Sequence, residues 1–170
     1  MTAAVLASIV SAMAACLTDL RERRIPNSLT FGSALAALVY HAYTSGLTGL
    51  GMSVAGWFLG TLLFLPIFAL RGIGGGDVKL LAAIGAWLGP SLVIWVALWG
   101  AVAGGVFALA VSAWQGYTHQ AFRNIWGMLS YWRVMGIRPH PGVALDRSSG
   151  PRVPYALPMA AGLGITLWLR

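Results

Sequence analysis

The sequence predicts an all-α membrane protein, a polytopic bundle of about six transmembrane helices with one amphipathic helix on its cytoplasmic side. Three observations lead there. Charged residues make up 9% of the 170 residues, against about 25% in soluble domains. Hydrophobic residues reach 58%, more apolar surface than a soluble chain of this length can hide. The charge is also unevenly placed, with Lys and Arg gathered in a few connecting segments between long apolar runs. The net charge of +7 therefore reads as membrane topology and not as a nucleic-acid-binding face. The lone Cys16 lies inside an apolar run and supports neither an internal disulfide nor a Cys-rich metal site.

A first span covers about 2–17. Ala12-Met13-Ala14-Ala15-Cys16 looks like a cleavage site, yet no Lys or Arg precedes the run, while Arg21, Arg23 and Arg24 follow it. That is the reverse of a signal peptide, so the span is expected to be retained with its N-terminus outside. A short basic loop, 19–27, comes next; Pro26 breaks the helix, and Asn27 or Ser28 caps the following one. Spans at 28–43 and 50–70 flank an uncharged connection through Ser45, Gly46 and Gly49. Gly56 and Gly60 form a small-xxx-small pair suited to close helix contact.

Arg71 and the run Gly72-Ile73-Gly74-Gly75-Gly76 lead into a segment at 77–88 that Gly89-Pro90 ends. It falls short of the ~20 residues of a full span and is read as a short or partly re-entrant helix. A fifth span, 91–113, contains Gly100 and Gly104. From 114 to 152 the chain turns polar and basic. Within it Phe122, Ile125, Trp126, Leu129 and Trp132 recur at helical spacing opposite Arg123, Asn124 and Ser130, the pattern of a helix lying on a membrane surface. A Pro-, Gly- and Ser-rich loop over 136–154 precedes a last span at 155–168. No internal repeat is visible, and 1–170 reads as a single transmembrane domain.

Arg21, Arg23 and Arg24 lie in one connection, and Arg71 in a second, with Lys79 just beyond it. Arg123, Arg133, Arg138, Arg147 and Arg152 lie in a third, which leaves the other side only Arg170. The positive-inside rule places these connections in the cytoplasm and both termini outside. Asp19 and Asp77 then fall at cytoplasmic ends of spans, an agreement that the Lys and Arg count did not presuppose.

The acidic residues are Asp19, Glu22, Asp77 and Asp146. Glu22 sits among arginines as a salt-bridge partner, and Asp146 lies in the loop beside Arg147. Asp77 has two readings: an N-cap with the glycines as a turn, or a functional carboxylate at a membrane span. Asp19 tips the balance, because a carboxylate at a helix C-terminus opposes the macrodipole. Two carboxylates brought together cannot both ionise cheaply. One then acts as acid on a peptide carbonyl and the other activates water, which suffices for peptide hydrolysis without metal, cofactor or covalent intermediate. His41, His119 and His140 lack the spacing of a metal triad, no Ser sits in a nucleophile elbow, and Cys16 has no nearby basic partner.

Gly74-Gly75-Gly76-Asp77 matches the Gly-x-Gly-Asp signature of intramembrane aspartyl proteases, and with Val78-Lys79-Leu80 it resembles the type IV prepilin peptidases. Asp19 followed by Ile25-Pro26-Asn27 is similar to that family's first-aspartate motif, and Pro154-Tyr155-Ala156-Leu157-Pro158 to its element before the last helix. The resemblance covers nearly the whole chain. It implies Asp19 and Asp77 as catalytic residues, with Gly74, Gly75, Gly76, Lys79, Pro26, Asn27, Pro154 and Tyr155 binding substrate or shaping the site. Gly74 to Gly76 would let a substrate strand pair with backbone near Asp77, while Lys79 would snorkel to the interface. It further implies a bacterial inner-membrane enzyme, active at the cytoplasmic face, with prepilins and pseudopilins as substrates and membrane lipid as its surroundings. The paired Cys-x-x-Cys motifs of longer members, tied to zinc and to N-methylation of the cleaved pilin, do not occur here. The short form resembles the peptidases of Flp-type (tight-adherence) pilus systems, so methyltransferase activity is not expected. The competing readings of the same aspartates are a small proton- or cation-coupled transporter and a structural assembly subunit with replaceable helix caps.

Overall fold

A computed structural model describes residues 3–70, 72–116, 118–136 and 155–170. Among these residues the chain forms helices and no strand: α1 (Ala3–Glu22), α2 (Asn27–Ala69), α3 (Gly75–Leu88), α4 (Pro90–Trp114), α5 (Thr118–Met135) and α6 (Ala156–Trp168). The organising element is α3. It is apolar all round, and Asp77, Val78 and the unbroken run from Leu80 to Trp87 are buried, as expected of a helix enclosed by protein. Its 14 residues span about 21 Å, less than a bilayer core of about 30 Å.

The 43 residues of α2 are about twice what a bilayer core requires. They are two arms that reverse at Gly46, whose φ of 60° and ψ of −147° leave the helical region at a position where a side chain would be strained. The break falls in the uncharged connection read from Ser45, Gly46 and Gly49, but it takes one residue where a longer loop was expected. The arms hold α3 between them. Asn27 and Ser33 of the first arm meet Lys79 and Trp87, while Gly60 and Ser53 of the second meet Leu81 and Ala86. Contact here is backbone on backbone: a Cβ at Gly56 would run into Gly85, and one at Gly85 into Gly56. In lipid, where burying apolar surface gives helices little reason to associate, such close approach supplies the packing.

The last carbonyls of a helix have no partner within it, and no water reaches them in a bilayer. In α3 the Gly85 carbonyl takes the Gly89 N–H, and those of Ala86 and Trp87 are met by side chains of α2. Ser53 Oγ donates to the Ala86 carbonyl at 2.8 Å, and His41 Nε2 lies 3.1 Å from the Trp87 carbonyl. Trp87 Nε1 donates to Ser33 Oγ at 2.9 Å, and Ser33 shares a 2.7 Å hydrogen bond with Ser11 of α1. Each such interhelical bond is worth about 0.6 kcal/mol in membranes.

α1 runs a turn further than the expected span end at residue 17, so Asp19, Arg21 and Glu22 are helical and the basic loop shrinks to the residues before Asn27. Hydropathy ends at Leu17, but Leu20, Arg21 and Glu22 are good helix formers, and no breaker occurs until Pro26 pushes Ile25 out of the α region. The helix closes with Arg23 in the left-handed region (φ 52°) and its N–H on the Asp19 carbonyl at 2.9 Å.

Gly89, with φ of 80°, alone joins α3 to α4, and Pro90 opens α4 at the first helical position. α6 lies on α4 through glycine: a Cβ at Gly162 would strike the Gly100 backbone. α5 packs against α4 alone among the described residues, and its Phe122 and Trp126 are 61% and 74% exposed.

Large apolar side chains also cover the outside of the bundle, among them Val10, Leu35, Val39, Phe58, Leu98 and Val106. α1, α2 and α4 are each long and apolar enough to cross a membrane. The molecule is an all-α integral membrane protein.

Candidate active site

Asp19 and Asp77 are 9% and 8% exposed. They belong to different helices, Asp19 to the last turn of α1 and Asp77 to the first turn of α3. The fold brings them within electrostatic reach of each other.

Asp77 is not the N-cap that the sequence allowed. Gly74 is the N-cap, and Asp77 sits three residues on. Its Oδ2 reaches back to accept the Gly74 N–H at 3.1 Å, the carboxylate half of a capping box. The positive end of α3 faces this carboxylate.

Asp19 lies at the C-terminal end of its own helix, where the macrodipole opposes it. The compensation comes from α6. Asp19 Oδ2 accepts the N–H of Ala156 at 3.3 Å, and Ala156 is the first residue of α6. Each carboxylate thus faces a helix N-terminus, Asp77 that of its own helix and Asp19 that of a borrowed one. Three residues before Asp19, the Cys16 thiol donates to the Ala156 carbonyl at 3.2 Å. One face of α1 therefore grips both polar groups of Ala156, and Cys16 is a buried structural contact.

Tyr155, the N-cap of α6, is half-buried and within electrostatic reach of Asp77. Its hydroxyl stands where a Cβ on Gly104 would be 3.1 Å away, so the glycine makes room for the ring. Gly75 and Gly76 are the first two residues of α3. A Cβ at Gly76 would lie 3.1 Å from the Ile25 Cβ, and one at Gly75 would lie 3.4 Å from Phe68. Pro26 and Asn27 form the start of α2. Lys79 reaches Asn27 across the helix interface, with Nζ 2.8 Å from Asn27 Oδ1. Pro154 lies outside the described residues, as do His140 and Asp146. Glu22 is exposed on the α1 terminus.

Sequence reasoning assigned none of Ala156, Cys16, Ile25 and Gly104 to the site, although Ile25 and Ala156 stand within the motifs read there. Ala156 acts through its backbone, which no side-chain pattern reveals. Cys16 did carry a signal, since it precedes Asp19 by three residues and so shares its helix face.

Residues 6–109 match the type IV leader peptidase family. That stretch is more than half of the chain and includes both aspartates. The chain belongs to the type IV leader peptidase family.

Among curated relatives, the chain is 37% identical over 105 residues to the prepilin leader peptidase/N-methyltransferase of Burkholderia pseudomallei, covering 58% of this chain and 33% of that one. The protein of the same description from Legionella pneumophila is 33% identical over 99 residues, covering 52% and 34%. That from Aeromonas salmonicida is 31% identical over 100 residues, covering 55% and 34%. The chain spans about a third of the length of these relatives. No solved structure matches it. The family match ends before α5 and α6, so the helix that holds Asp19 through Ala156 lies beyond the matched region.

Proposed function

We propose that this chain is a membrane-embedded aspartyl endopeptidase that removes the N-terminal leader of type IV prepilins, of the Flp type, with Asp19 and Asp77 as its catalytic pair. The observation that carries the reading is the convergence of two buried carboxylates from separate helices at one end of the bundle, each held through Oδ2 by a backbone N–H at a helix N-terminus. Two carboxylates in mutual reach share a proton. The protonated member polarises the scissile carbonyl while the ionised one takes a proton from the attacking water, and the roles reverse as the leaving amine is protonated. The backbone bonds fix one oxygen of each carboxylate.

The membership in a leader peptidase family and the names of the relatives support a prepilin substrate. The Arg-rich turn after α1, at the end of the bundle that carries both aspartates, supports a cytoplasmic site with periplasmic termini. We place the enzyme in the bacterial inner membrane, with lipid against its apolar outer face. Co-expression with an Flp-type prepilin, scored by the gel shift from leader-bearing to mature form, tests the reading. Conversion to the mature form is expected, and a substrate that stays leader-bearing beside well-inserted enzyme overturns it.

A further inference from the structure

We propose that Lys79 and Asn27 form a latch that sets the position of Asp77 against Asp19, making both positioning residues of the peptidase. The proposal rests on the proposed function for its activity readout. Lys79 follows Asp77 by two positions, which on a helix turns its side chain through ~200°, away from the carboxylate. It is therefore not an ion-pair partner of Asp77. Its Nζ donates to Asn27 Oδ1 at 2.8 Å and lies 5.4 Å from the centroid of the Phe31 ring, one turn further along α2. The ammonium thus has two fixed partners in the first turns of α2.

The position of Asn27 gives this contact its meaning. Asn27 opens α2, directly after the turn that leaves α1, and the last turn of α1 carries Asp19. One residue earlier in that turn than Pro26, Ile25 packs against Gly76, close enough that a Cβ there would sit at 3.1 Å. The α1–α2 turn and the first residue of α2 therefore touch α3 at Gly76 and at Lys79, which flank Asp77 in sequence and share one face of the helix. A steric stop at one position and a charge-assisted hydrogen bond at the other fix both the height and the rotation of the first turn of α3. Both contacts draw on the charge of the ammonium, which strengthens a hydrogen bond to an amide oxygen and attracts it to the face of an aromatic ring. The neutral Asn27 amide adds no second anion near the carboxylate pair.

The test is a double-mutant cycle with Lys79→Met and Asn27→Leu. On a prepilin substrate, each single change is expected to lower kcat about tenfold with KM within about twofold, the signature of a misplaced reacting group. The double variant should be no worse than the poorer single. Loss in Lys79→Met with Asn27→Leu unaffected would assign the lysine to substrate or lipid and overturn the latch, as would single losses that multiply. Melting in detergent gives a readout independent of cleavage. Non-additive shifts are expected for the pair, and additive shifts overturn the latch. A parent enzyme that cuts no leader would remove the proposed function, while non-additive melting would still support the latch.

Discussion

Gly76 offers a direct way to push the two carboxylates apart. A Cβ added there would lie 3.1 Å from the Ile25 Cβ and 3.5 Å and 3.6 Å from its Cγ1 and Cδ1. Ala at position 76 therefore requires Ile25 to move by a few tenths of an ångström. The helix gains about 0.5–1 kcal/mol from replacing glycine, which offsets the tight contact. Gly76→Ala should leave melting nearly unchanged while slowing cleavage several-fold, because a misplacement of about 1 Å at a reacting group costs about 10²-fold. Gly76→Val adds two further methyls against the same side chain. It should cost about 1–3 kcal/mol by overpacking and slow cleavage about 10²-fold. Truncating the neighbour restores the space, so Gly76→Val with Ile25→Ala should recover most of the rate lost by Gly76→Val alone. The assay is leader cleavage in defined detergent, with melting followed on the same samples. Full activity in Gly76→Val, or no recovery on adding Ile25→Ala, would refute the argument that this contact spaces the carboxylates.

Gly56→Val should prevent stable assembly, because its side chain meets the Gly85 backbone, whereas Gly32→Ala, with nothing within 4 Å of the new Cβ, should melt as the parent does; equal melting of the two would contradict the packing described. Ser53→Ala removes the donor to the Ala86 carbonyl and should cost about 0.6–1.7 kcal/mol in detergent unfolding, with an unchanged midpoint as the contrary result. With Cys16→Ala as background, a cysteine at Ser45 should react with an impermeant thiol reagent from the periplasm, and one at Ser148 only after the membrane is opened. Labelling of Ser148→Cys in intact cells would reverse the proposed orientation.

The parts of this fold that were legible in the sequence are those written in glycine, proline and charge. Pro26 and Pro90 mark helix starts, Gly46 and Gly89 mark reversals, and the spacing of Gly56 with Gly60 and of Gly100 with Gly104 marks close helix crossings. The central place of α3 was less visible, because an apolar segment reads alike whether lipid or protein surrounds it. The extent of α1 beyond its apolar run was only partly visible, because hydropathy falls at Leu17, while helicity depends on residues such as Leu20 and Glu22 that are polar or apolar alike. Within the site, the sequence singled out both aspartates by type and position. The backbone donors that hold them, Gly74 and Ala156, were not readable as such. Asp19 meets Ala156 across most of the chain, and no local pattern encodes a contact between a side chain and a distant N–H. Lys79 was assigned to the interface from its position near a span end, a rule that ignores a specific acceptor such as Asn27.

The central claim is that Asp19 and Asp77 carry out the cleavage, and Asp19→Asn and Asp77→Asn test it most directly. Asparagine keeps an oxygen that can accept the Ala156 or Gly74 N–H, so both variants should insert and melt close to the parent. Neither can relay a proton, and general acid–base catalysis is worth about 10²–10⁴-fold. Leader cleavage should therefore fall by at least that factor in each, while Glu22→Gln, exposed at the end of α1, should cleave normally. Normal cleavage by either aspartate variant would contradict the account.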